Sequence, residues 1–176
     1  TANFVKETYT ITCASVTGGT LSVNPTTAQM GETVTVTATP SDGYTLSGIT
    51  MNGAAITGNT FTMPASNVTV SATFTKQSYN IKVNNDTSKG TVSAPASAQY
   101  GDTVTLTATA DTGYVFKSWS VTAGTLDSAS ANPATLTMPA SDVIVTATFQ
   151  KQTYAVTVSN DTTKGTASAS VSTAAY

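Results

Sequence analysis

The sequence predicts an all-β protein built as tandem small antiparallel β units, sandwich-like, with about six short strands each. Three observations carry this expectation. The first is a long repeat: MPASNVTVSATF at 63–74 returns as MPASDVIVTATF at 138–149, the mark of a repeated supersecondary unit. The second is strict alternation. In 33–39, Val34, Val36 and Ala38 share one face and Thr33, Thr35, Thr37 and Thr39 the other, and in 103–109 Val104, Leu106 and Ala108 repeat the apolar set. A period of two means one buried face and one wet face, as in antiparallel sheets. The third is composition: Thr fills 39 of 176 positions and charged residues only 9%. Thr is β-branched and fits a pleated surface whose other side is buried. No stretch carries a convincing period of 3.6.

The repeat sets the domain organisation. TANFVK at 1–6 matches SATFTK at 71–76 and TATFQK at 146–151, and Tyr9, Tyr79 and Tyr154 are equivalent. Residues 1–6 thus read as the last strand of a preceding unit, 7–75 as unit one, 76–150 as unit two, and 151–176 as the first strands of an incomplete third unit. A unit of this size lies near the lower limit for a single independent core.

In unit two the strands are expected at 79–84, 91–98, 103–108, 114–121, 134–138 and 143–149. Gly31-Glu32 and Gly101-Asp102 open the third strand of each unit. Asp42-Gly43 and Thr112-Gly113 precede Tyr44 and Tyr114, where Gly can supply a positive φ. Asn52-Gly53 is a two-residue hairpin signal. Unit two replaces it with a longer loop, 123–132, which accounts for the greater length of that unit. Such insertions fall in surface loops. The turns NNDTSKG (84–90) and SNDTTKG (159–165) read as hairpins with a glycine bulge. One Asp per turn is too few for Ca²⁺, which takes six to eight oxygens.

Composition excludes several function classes. The net charge is −2, and the seven basic residues are all Lys, spread from Lys6 to Lys164. Without a basic cluster there is no footprint for nucleic acid. No apolar run is long enough for a spanning helix, so no membrane insertion by a helix is expected. The chain has no His, no Arg and one Cys, which removes Ser/His/Asp and Cys/His arrangements. Glu32, Asp42, Asp102, Asp111 and Asp142 lie at turns or strand starts, where carboxylates cap backbone donors. No enzyme activity, cofactor or metal is expected. Cys13, in phase with Tyr9 and Ile11, reads as a small core residue rather than a reactive thiol. Lys, Asn, Thr and Gln could supply an isopeptide or ester crosslink, but Lys82 lies in the polar phase of its strand.

Two places could bind something. Trp119, with Tyr114, Phe116 and Tyr100, could form an aromatic platform, and with Leu126 and Asp127 of the 123–132 loop it makes a candidate ligand site. The competing reading is core: unit one has Ile49, Tyr44, Leu46 and Met30 at the aromatic positions, so apolar shapes interchange there. Phe4 and Val5 are candidates for strand exchange, in which 1–6 of one subunit would complete the unfinished unit of the next.

Tyr79, Gly90-Thr91, Gly101-Asp102-Thr103-Val104, Gly113-Tyr114, Trp119 and MPASDV ending at Phe149 together resemble the divergent internalin B-repeat family, found in tandem in bacterial surface and secreted proteins. Unit one departs at Ile49, where the family pattern favours Trp. The resemblance implies a small all-β unit, β-grasp-like in related repeats, with roles in spacing, adhesion or surface attachment and no catalytic residues. The expected function is therefore a non-catalytic segment of an extracellular stalk, fibre or surface protein, cell-surface or secreted. Its partners would be neighbouring repeats or same-chain subunits. The alternative is an adhesion module for a glycan or a host protein. Ice binding through the Thr arrays would need a flat solenoid with a much shorter repeat.

Overall fold

The computed structural model describes residues 5–159, 163–170 and 173–175, and the chain divides into two units between Ser78 and Tyr79. Unit one forms eight strands: β1 (Thr8–Cys13), β2 (Gly19–Asn24), β3 (Thr27–Gln29), β4 (Thr33–Pro40), β5 (Tyr44–Met51), β6 (Ala54–Ala55), β7 (Thr60–Thr62) and β8 (Val68–Lys76). They make a larger sheet in the order β3-β1-β8-β5-β6 and a smaller one, β2-β4-β7. The alternation in the sequence does the sorting. Val34 and Val36 of β4 and Phe61 of β7 enter the same core as Ile11, Ile49, Val68, Val70, Ala72 and Phe74 of the larger sheet. Two sheets closing on one apolar core make a sandwich rather than the β-grasp-like arrangement that the resemblance implied. The Thr residues of β4 all stay exposed.

Unit two repeats the plan with β9 (Ser78–Asn85), β10 (Gly90–Ser93), β11 (Ser97–Gln99), β12 (Thr103–Ala110), β13 (Tyr114–Val121), β14 (Thr125–Leu126), β15 (Ala134–Thr137) and β16 (Val143–Lys151). Its sheets run β11-β9-β16-β13 and β10-β12-β15-β14. Val104, Leu106, Ala108, Leu136, Val143, Val145 and Phe149 are all buried in one core. Each of the larger side chains among them contributes about 1.5–3 kcal/mol, according to its size. Beyond unit two, β17 (Thr153–Ala155) pairs antiparallel with β18 (Thr173–Ala175).

Three expectations need correction. Each unit has eight strands, not six. The stretch 91–98 splits around Pro95 into β10 and β11, which join different sheets, because Pro cannot donate to a ladder. The sheets are also not purely antiparallel: β1 pairs parallel with β8 (Ile11 with Val68, Cys13 with Val70), and β9 pairs parallel with β16. Finally, 84–90 is not a hairpin, since it carries the chain from β9 in one sheet to β10 in the other. Gly90 is required at that corner: a Cβ there would sit 2.6 Å from both the Phe149 ring and the Thr109 carbonyl. Gly19 meets Phe74 and Thr39 in the same way.

The repeated motif is a set of stitches. Met63 and Met138 are buried, and their backbones bond Glu32 with Gly31 and Asp102 with Gly101 respectively. Asn67 Oδ1 accepts from the Thr10 N–H at 2.8 Å, and Asp142 Oδ1 from the equivalent Asn80 N–H at 2.8 Å. Glu32 and Asp102 likewise accept from the Gln29 and Gln99 N–H groups. The turn carboxylates at these positions cap backbone donors, as their placement in the sequence predicts.

Candidate functional site

The two units differ most where the Asn52-Gly53 hairpin of unit one gives way to the longer loop of unit two. In unit one, Asn52 (φ 49°) and Gly53 (φ 84°) turn β5 back into β6 at the sheet edge, the backbone of a type I′ hairpin. Asn52 Oδ1 also accepts from the Thr69 N–H at 2.8 Å, pinning the turn to β8. In unit two the corresponding short strand, β14, leaves that sheet and pairs with β15 of the smaller one.

The loop then folds back over β13. Trp119 is only 3% exposed. Its backbone N–H donates to Ala129 at 2.7 Å and its indole Nε1–H to Ala131 at 2.9 Å. A bulge at Lys117 lets Phe116 and Trp119, three positions apart, turn toward the same side. Their rings lie 5.0 Å apart, and Phe116 meets Phe149 edge-on at 6.3 Å. Asn132 closes the loop: its Oδ1 accepts from the Ala108 N–H at 2.9 Å, and its Nδ2 donates to the Ala108 carbonyl at 2.7 Å. The carboxamide thereby extends the β12 ladder past the end of β15.

These contacts give the three candidate ligand residues a part in holding the loop. The indole of Trp119 offers no open face, so it cannot serve as a stacking platform. Leu126 is half-buried against the core. Asp127 Oδ1 accepts from the Thr135 N–H at 2.8 Å and the Ser128 N–H at 2.7 Å. The bond from the Thr135 backbone, then that from Ser128, hold its carboxyl below the ordinary value of 3.8. Of the remaining platform residues, Tyr100 and Tyr114 are half-buried. Met30, the unit-one counterpart of Tyr100, is 68% exposed and is not a core residue. Val5 is 89% exposed ahead of β1, while Phe4 lies outside the described residues.

The polar corner at 84–89 borders a cleft of about 410 Å³ with Thr146–Phe149 on its other side. Asp86 is fully engaged there: Oδ1 accepts from the Ser88 N–H and hydroxyl at 3.0 and 2.6 Å, and Oδ2 pairs with Lys89 Nζ at 2.8 Å. The Lys89 ammonium, then Ser88, bring its carboxyl down to about 2. Among the described residues, no group of three or more His, Cys, Asp or Glu side chains comes together that could hold a metal ion. Cys13 is half-buried, opposite Val70.

Sequence reasoning missed two features of this region. One is the Asn132 clamp on Ala108, which joins positions distant in the chain and has no local signature. The other is an open groove in unit one, lined by Val36, Ala38, Leu46, Ile49, Gly58 and Asn59, of about 440 Å³. The signal for the groove was the substitution of Ile49 for Trp.

No curated protein and no solved structure matches the chain. The family model of the divergent InlB B-repeat domain, however, matches it twice, over residues 9–78 and 79–153. Those boundaries coincide with the two sandwiches, and the chain belongs to the divergent InlB B-repeat family.

Proposed function

We propose that this chain is a non-catalytic structural segment of an extracellular bacterial surface protein, in which repeats space or project other domains. The observation that carries this reading is the parallel pairing of each unit's first and last strands. Parallel neighbours start at the same end of a sheet, so the chain enters a unit at one pole and leaves at the other. Ile11 lies beside Val68, so Thr8 precedes that level by three positions and Lys76 follows it by eight. At about 3.3 Å per residue, one unit advances the chain by about 36 Å. Unit two has the same register, with Ile81 beside Val143. A fold that moves the chain forward by a fixed step suits a spacer, and repeat arrays gain length in this additive way. Neighbouring repeats are then the natural partners, and the low charge and Thr-covered faces suit an exposed, extracellular setting.

Strand addition is the finer part of this proposal. It requires a donor for β17, and the donor residues that matter are those matching Val68–Val70, which pair with β1. Residues 1–6 match 71–76 instead, so Phe4 and Val5 supply the apolar end of such a strand but not its pairing segment. Analytical ultracentrifugation of the chain at high concentration decides this point, since a strict monomer removes the polymer.

Small-angle X-ray scattering from chains carrying two, four and six repeats tests the spacer reading. The maximum dimension is expected to grow linearly, by about 36 Å per repeat. Growth with the cube root of repeat number would contradict it.

A further inference from the structure

The groove of unit one is the place that unit two fills with its own residues. Its apolar lining residues have counterparts there: Val36 corresponds to Leu106, Ala38 to Ala108, Leu46 to Phe116 and Ile49 to Trp119. In unit two, two aromatic rings occupy the space, and the 129–132 segment covers it through Ala129, Ala131 and Asn132. In unit one the rings are replaced by smaller aliphatics and the covering segment is shorter: Ile56 donates its N–H to the Ile49 carbonyl at 3.1 Å and packs on the core, Ile49 stays buried, and Leu46 is left 38% exposed.

The backbone wall of the groove is open as well. Val36 donates its N–H to the Asn59 carbonyl at 2.8 Å, on the β7 side of β4. Two positions on, the Ala38 N–H and C=O point the same way, beyond the end of β7. Among the described residues nothing meets them, whereas the equivalent Ala108 groups are both held by Asn132. Unit one thus presents an apolar trough beside an unmet donor–acceptor pair on a strand edge. No charged residue lines it, so an uncharged group is selected.

We propose that this groove binds in trans an extended, uncharged peptide segment of another protein, which lies where the 129–132 segment lies in unit two and places an aromatic side chain against the exposed side of Leu46, in the space that the Phe116 ring takes there. Its backbone continues the β7 ladder along β4 by pairing with Ala38, a form of strand addition in which main-chain bonds hold the peptide and a side-chain pocket selects it. The site lies entirely within unit one and does not depend on the spacer reading.

The test is an amide-shift titration of the full chain with a blocked peptide, acetyl-Thr-Ala-Trp-Ala-Thr-amide, against the same peptide with Ala in place of Trp. The expected result is saturable shifts confined to residues 36–38, 46–49 and 58–59, with at least tenfold weaker binding of the Ala peptide. Ile49→Trp, which fills the trough from within, and Leu46→Asp, which puts a charge at its mouth, should each weaken binding at least tenfold. Undisturbed unit-two signals and a dispersed unit-one spectrum would report the fold in both. Absence of saturable shifts, equal binding of the two peptides, or full binding by both folded variants would overturn the proposal. So would shifts at these residues from neutral maltohexaose but not from the peptide, which would assign the groove to a glycan.

Discussion

Units one and two share a frame in detail and part company at one corner. Both pair their first and last strands in parallel. Both pin the start of the last strand with an Asn or Asp side chain and fold a Phe over a mandatory Gly. At the corner after β5 or β13, unit one spends two residues on a tight hairpin, and unit two spends a loop that closes over Trp119. The lesson is that the frame is fixed by backbone stitches, while the corner is free to be plugged or left open. Residue 49 or 119 and the length of the following segment change together, because a buried indole needs a carbonyl for its N–H.

The comparison can be broken most forcefully at Trp119. Trp119→Ala should cost unit two about 3–5 kcal/mol through the lost ring and the cavity left behind. Unit one should keep its own transition, so unit-resolved amide signals in a denaturant series are the proper readout. An equal loss in both units would contradict their independence.

Next come the two glycines of the shared frame. Gly19→Ala and Gly90→Ala each drive a Cβ into a Phe ring and a carbonyl at about 2.5–2.7 Å, and each should destabilise its own unit by about 1–3 kcal/mol. Similar values in the two units support the common frame. A neutral result at either would sink it for that unit.

Asn132→Ala strips the partner from Ala108 and should cost about 1 kcal/mol, the usual net worth of a hydrogen bond. Faster amide exchange at Ala108, approaching that of Ala38, is the sharper readout. Unchanged exchange would mean that the clamp does nothing.

The smallest effect is in pH. Asp86 and Asp127 both titrate below their ordinary value in the folded state. A depressed folded value means stability that is present above about pH 4 and lost as pH falls toward 2. Unit one carries no counterpart of either, since residues 14–18 between β1 and β2 hold no carboxylate and the Asp127 loop is lacking. Acid titration followed by unit-resolved amide signals should therefore weaken unit two first; simultaneous loss would count against the assignment.

Much of this was legible in the residues. The inward faces of 33–39 and 103–109 follow from alternation, and Asn52-Gly53 makes the turn that its φ preferences dictate. Strand direction was not legible, because alternation looks the same in either sense and the pairs that decide it, such as Ile11 with Val68, lie at opposite ends of a unit's sequence. The bulge could have been found: Phe116 with Trp119, and Leu46 with Ile49, are spaced by three, which a regular strand cannot put on one face. Of the two readings of Trp119, the interchange of apolar shapes at 49 and 119 pointed to core, and its burial agrees. The loop carbonyls that take its two N–H groups had no local signature in the sequence.

The chain has a single Trp, so its fluorescence reports one residue, and acrylamide quenching tests most directly whether the unit-two corner is plugged. A blue-shifted emission that resists acrylamide in the intact chain, and becomes red-shifted and quenchable on unfolding, is the predicted result. A red-shifted, freely quenched emission from the folded chain would place the indole in water and contradict the difference drawn between the two units.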